Sequence, residues 1–169
     1  MLALQFTQTK NFMERLLLSP AFDCFLLSEA TITTATTISI DGHFHPDFYP
    51  EEETEKTVPT RADRGLIYWE QLRPICFQLI RGRHTPLSFS FIFCPDTTHM
   101  QKLVTDAALS FRPEDVRALF LNIRYDNGML SCTTATSMNL FTLDRSLEEA
   151  WEKAVKDFFL RQEFSFETL

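Results

Sequence analysis

The sequence predicts an α+β protein, a mostly antiparallel sheet with helices on one face. Three observations carry this. Asn127-Gly128 separates two alternating runs and is the favoured pair for a two-residue type I′ hairpin turn. Leu87, Phe89, Phe91 and Phe93 alternate with Ser88, Ser90, Ile92 and Cys94, the period-2 signature of a strand with one buried face. Leu147, Trp151, Val155, Phe158 and Phe159 recur at helical spacing behind Ser146-Leu-Glu-Glu149, a capping-box sequence.

The remaining elements follow in order. Leu2–Phe6 reads as a short strand, and Gln8–Leu18 as a helix with Phe12, Met13, Leu16 and Leu17 on one side, stopped by Ser19-Pro20. Cys24–Leu27 and the alternating run Ile32–Asp41 predict two or three strands rich in β-branched threonine and isoleucine. From 43 to 65 periodicity vanishes. Pro46, Pro50 and Pro59 with the acid run Glu51–Glu55 predict a long solvated loop with room for a helical turn. Leu66–Arg81 reads as a helix that Pro74 kinks or restarts, with Gly82 at its C-terminal cap. Asp96 caps a helix bearing Met100, Leu103, Val104 and Ala107 on one side, which ends before Pro113. In the hairpin, a two-residue loop pairs Tyr125 with Leu130, Ile123 with Cys132 and Leu121 with Thr134; Asn122, Arg124, Ser131 and Thr133 take the opposite face.

A chain of 169 residues with seventeen phenylalanines and four glycines can bury one aromatic-rich core, so residues 1–169 are expected to form one domain. The net charge of −7 argues against a general nucleic-acid binder, whose phosphate contacts need a basic surface. Cys24, Cys76, Cys94 and Cys132 form no Cys-x-x-Cys pair, which fits free thiols in a reducing cytoplasm. The start of the chain lacks the basic and apolar regions of a signal peptide, and no apolar run reaches membrane-span length, so a cytoplasmic location is expected.

Chemistry is sparse. Asp41, His43 and His45 stand at i, i+2 and i+4; on one strand face, two imidazoles and a carboxylate suit zinc or a similar divalent ion. The same residues also read as a polar strand end entering a proline-rich loop, and Gly42 and Pro46 both disturb the strand geometry. Arg81, Arg83 and His84, joined by Arg73, suit an anion or phosphodiester; cations after a helix also simply answer its dipole. Phe44, Phe48, Tyr49, Tyr68 and Trp69 suit either a binding groove or loop packing. No nucleophile elbow, cysteine–histidine signature or phosphate-cradling glycine loop appears.

Three segments, Ala30–Gly42, Trp69–Gly82 and Leu119–Trp151, resemble a family of small cytosolic bacterial proteins of unknown function. That resemblance implies no catalytic motif and adds no site residue. The element order is also similar to one domain of a DNA sliding clamp, which implies nucleic-acid accessory work for Arg73, Arg81 and Arg83. The residues themselves favour a non-enzymatic domain acting by self-association or through a protein partner. The alternatives are a metal-binding protein or metal-dependent hydrolase centred on Asp41, His43 and His45, and the clamp-like accessory protein.

Overall fold

The computed structural model describes residues 1–169 and shows an α+β protein built on one antiparallel sheet of nine strands. The strands are β1 (Ala3–Phe6), β2 (Phe25–Thr33), β3 (Thr37–Asp41), β4 (Ala62–Asp63), β5 (Leu66–Tyr68), β6 (Ser88–Pro95), β7 (Val116–Asp126), β8 (Met129–Met138) and β9 (Phe166–Thr168). They lie in the order β4-β5-β2-β6-β7-β8-β1-β9, with β3 sharing the β5 edge of β2. The helices are α1 (Thr9–Leu18), α2 (Glu51–Arg61), α3 (Trp69–Ile80), α4 (Thr97–Asp106) and α5 (Ser146–Arg161).

One face of the sheet carries the core. Phe89, Phe91 and Phe93 of β6, Leu119, Leu121 and Ile123 of β7, and Leu4 and Phe6 of β1 all point to it. Helices α1, α3, α4 and α5 cover that face with Phe12, Leu16, Trp69, Met100, Val104, Trp151 and Phe159. The aromatic rings interlock mainly in tilted and edge-to-face pairs, as ring quadrupoles favour: Phe6 meets Phe12 at 4.5 Å and Phe159 at 4.9 Å, and Trp69 meets Phe93 at 5.1 Å. Both indoles find carbonyl partners, Trp69 Nε1 donating to Leu16 O and Trp151 Nε1 to Phe120 O. Buried donors are thereby satisfied and each helix is pinned to a defined neighbour.

The hairpin pairs as its alternation predicts, Tyr125 with Leu130, Ile123 with Cys132 and Leu121 with Thr134. Asn127 and Gly128 both adopt positive φ (50° and 78°), the requirement of a type I′ turn. On the opposite face Asn122 Nδ2 donates to Thr133 Oγ1 and Arg124 pairs with Asp126 at 3.1 Å, so these four polar side chains are paired with one another.

Several expectations are corrected. Residues 43–65 are not a long loop. They hold a 3-10 turn (Pro46–Phe48), α2 and β4. Helix α2 buries no residue, so it has no apolar period to reveal it; Glu51, Glu52 and Glu53 instead favour the positive end of the helix dipole. Leu66–Tyr68 is a strand against β2, and the helix begins only at Trp69, then runs through Pro74 unbroken. The run Ile32–Asp41 is folded at 34–36 into the β2–β3 hairpin. The capping box is not formed. Ser146 is the first helical residue, its N–H donating to Asp144 Oδ1 at 2.8 Å, while Arg145 grips Glu148 through two bonds of 3.1 Å.

Candidate functional site

Asp41 ends β3, and Gly42 lets the chain pass against β2 so closely that its N–H donates to Ser28 O at 3.0 Å. His43 then folds back, its ring Nδ1 lying 2.5 Å from Asp41 Oδ1 and its backbone N–H donating to the same oxygen. The backbone bond, then the ring bond, hold the Asp41 carboxyl below the usual carboxylate range. Both side chains are exposed, and no third His, Cys, Asp or Glu converges on them to make a metal-binding set, His45 included.

The basic residues divide. Arg73 on α3 is held by Asp23 in a two-bond fork at 2.9 and 3.0 Å, with only 21% and 16% of the two side chains exposed. Its charge is thereby matched inside the protein. Arg81, Arg83 and His84 lie elsewhere, in the segment leaving α3. There they rim a cleft of about 320 Å³ together with Lys10 of α1.

The aromatic group also divides. Phe44 stacks on Tyr49 at 5.9 Å and Phe48 meets Tyr49 edge-on at 5.2 Å, whereas Trp69 is fully buried in the core. Tyr68 instead donates its hydroxyl to Asp96 Oδ2 at 3.1 Å.

That bond belongs to a network which sequence reasoning met only as a helix cap. Asp96 sits where β6 turns into α4, and its Oδ1 accepts the His99 backbone N–H at 2.9 Å and lies 2.7 Å from His99 Nδ1. Burial pushes the Asp96 carboxyl up, but the His99 backbone and ring bonds, with Tyr68, outweigh it and hold the acid below its ordinary range. Desolvation and the Asp96 charge push the Tyr68 phenol up to about 12. Beside them Asp63 accepts both the backbone N–H and the hydroxyl of Thr97, at 2.6 and 3.0 Å. The spacing of Asp96 and His99, one helical turn apart behind a strand, was the available signal.

His99 lines the larger cleft, about 460 Å³, between α4 and α5. Its floor is apolar (Phe25, Leu103, Trp151, Phe158) and Cys24 opens on it. A carboxylate-held imidazole is a general-base arrangement. The Cys24 thiol in the same cleft, however, is pushed up to about 11 by burial and stays protonated near neutrality. The cleft therefore offers shape, apolar surface and charge rather than a primed nucleophile.

The segment entering α5 stands out for the opposite reason. Phe141 is 91% exposed and Leu143 is 86% exposed, with Leu140 beside them at 40%. Asn139 anchors the base of this loop, bonding Glu114 O and Asp115 O at 2.9 and 2.8 Å. The apolar tip is thus presented from a fixed stem.

Compared with known proteins, residues 15–167 match one family model, described only as a family of unknown function. No curated protein and no solved structure matches the chain.

Proposed function

The chain belongs to DUF5721, a family of unknown function, and from its own surface we propose that it acts by association, as a self-assembling, non-enzymatic protein. One observation carries this reading: three apolar side chains, Leu140, Phe141 and Leu143, stand in water on a single anchored loop. Contiguous exposed apolar groups mark interaction sites in folded proteins. The occupant we assign is a second copy. The loop leads into α5, and α5 with α4 walls the 460 Å³ cleft whose floor is Phe25, Leu103, Trp151 and Phe158. A two-fold pair uses each surface twice, each copy's Phe141 and Leu143 entering the other's cleft. An aromatic anchor in an apolar pocket is the usual energetic centre of such a contact.

Light scattering after size separation tests this. The wild-type chain is expected to run as a dimer at about 50 μM, the range where a micromolar contact is populated. Phe141→Asp with Leu143→Asp is expected to give a folded monomer. A wild-type chain that is strictly monomeric at that concentration overturns the proposal, as does a double variant that remains dimeric. All four cysteines are free, three of them buried, which supports a reducing cytosolic setting that cell fractionation would check.

A further inference from the structure

The cleft rimmed by Arg81, Arg83 and His84 is independent of that contact, and its charge is out of keeping with the chain. The protein carries −7, yet this rim gathers Lys10, Arg81, Arg83 and His84 against one carboxylate, Glu14. None of these groups forms an ion pair within the protein.

A helix dipole explains part of this but not all. Arg81 caps the C-terminus of α3, where a cation offsets the half-negative helix end. Lys10 has no such excuse. It lies in the first turn of α1, at the positive end of its own helix; that turn holds no acidic residue, and Glu14 follows one turn later. Thr9 and Lys10 face the same cleft, so the positive end of α1 adds to the three cationic side chains there. Positive charge is thus concentrated from two helices around an open space, at Lys10 against the local helix dipole.

The floor of that space is apolar and aromatic. Met13 and Leu17 come from α1 and Phe77 from α3; Phe89 and Tyr125 are cross-strand partners of β6 and β7. The two rings lie parallel, 15° apart with centroids at 5.1 Å, and Phe89 is almost fully buried, leaving Tyr125 as the partly open surface. A volume of about 320 Å³ falls at the lower end of small-ligand sites, which run from about 300 to 1,000 Å³.

We infer that this cleft binds a small phosphate ester carrying a flat aromatic body, of the mononucleotide class. Arg81, Arg83 and Lys10 take the phosphate, and the ring system lies over Tyr125 between α1 and the end of α3. Charge-assisted bonds to the phosphate supply most of the affinity, and the aromatic floor supplies selectivity for the ester over the free anion.

The test is a backbone-amide NMR titration of the whole chain with adenosine monophosphate, adenosine and inorganic phosphate in parallel. The monophosphate is expected to bind more tightly than about 1 mM and at least tenfold better than either fragment. It should shift the amides of Lys10, Arg83 and Tyr125. Lys10→Glu with Arg83→Glu, both on the rim, is expected to weaken binding at least tenfold while leaving the remaining spectrum folded. Glu14→Gln is expected to tighten it. No shifts at about 10 mM, phosphate binding as tightly as the ester, or undiminished binding by the double variant would each overturn the inference.

Discussion

Gly42→Ala is expected to be the most damaging single-methyl change in this protein, and for an unusual reason. Gly42 has no left-handed φ to protect. Its Cα instead lies against the backbone of β2, where a bulge separates Leu27 from Glu29. A Cβ there would sit 1.8 Å from Leu27 O and 2.6 Å from Leu27 C, whereas ordinary contact begins near 3.4 Å. The chain must therefore move away by more than an ångström, and both backbone bonds of Gly42 stretch with it: N–H to Ser28 O at 3.0 Å and Ile67 N–H to Gly42 O at 2.8 Å. At about 1 kcal/mol for each lost bond, plus a similar sum for disturbed packing at fully buried Leu27, the cost is on the order of 3 kcal/mol. Urea unfolding followed by the fluorescence of buried Trp69 and Trp151 measures it directly. Gly65→Ala and Gly128→Ala are the controls, since each has positive φ but open space around it and should lose only about 1 kcal/mol. If Gly42→Ala costs no more than Gly65→Ala, the close-approach reasoning is wrong.

Other outcomes can be checked alongside. Arg73→Ala should destabilise by about 1–3 kcal/mol, because it leaves the part-buried Asp23 carboxylate without its fork; urea unfolding that shows no loss would place the pair among idle surface contacts. Asp96 has a lowered pKa in the fold, so its contribution is present above the ordinary carboxylate value, about 4, and is lost as pH falls through the folded value. The stability gap between wild type and Asp96→Asn should therefore be constant near neutrality and shrink in acid; a gap unchanged by acidification refutes the assignment. Burial raises all four thiols, Cys24 and Cys94 to about 11 and Cys76 to about 12. Mass spectrometry after native alkylation should find slow labelling concentrated at Cys24, the one half-buried cysteine, the other three being buried. Zinc should not raise the melting temperature, because only Asp41 and His43 of the Asp41–His45 segment come together; a stoichiometric rise would show that further ligands close on them.

The sheet was legible in the sequence wherever one face is buried and the other is not. Phe89, Phe91 and Phe93 declare β6, and Asn127-Gly128 sets the β7–β8 register residue by residue, since a slip of one would turn every apolar group outward. Helix α2 was illegible because it buries nothing, and the hydrophobic period is the only long-range signal a single sequence offers. Strand β5 was hidden because Leu66-Ile-Tyr68 continues an apolar run into α3, and short apolar runs suit either state. The candidate sites fared similarly. Arg81-Gly-Arg83-His84 was visible as a cluster, but its companion Lys10 lies seventy residues earlier and reaches it only through the packing of α1 against α3. Arg73 looked like a member until folding gave it Asp23, fifty residues away. The exposure of Phe141 and Leu143 had no sequence signature, because an apolar pair reads as core until the fold leaves it outside.

The placement of β1 has a consequence in time. It lies between β8 and β9, and the Leu2 N–H donates to the buried Thr134 hydroxyl across a separation of 132 residues. During synthesis at roughly 5–20 residues per second, β1 therefore waits on the order of ten seconds for β8 to exist. Helix α1 and its partners Phe22 and Trp69 emerge well before then, whereas Phe159, which also packs on Phe12, comes later still. Strand β1 is thus made long before the two strands that flank it, and is seated only after the β7–β8 hairpin exists.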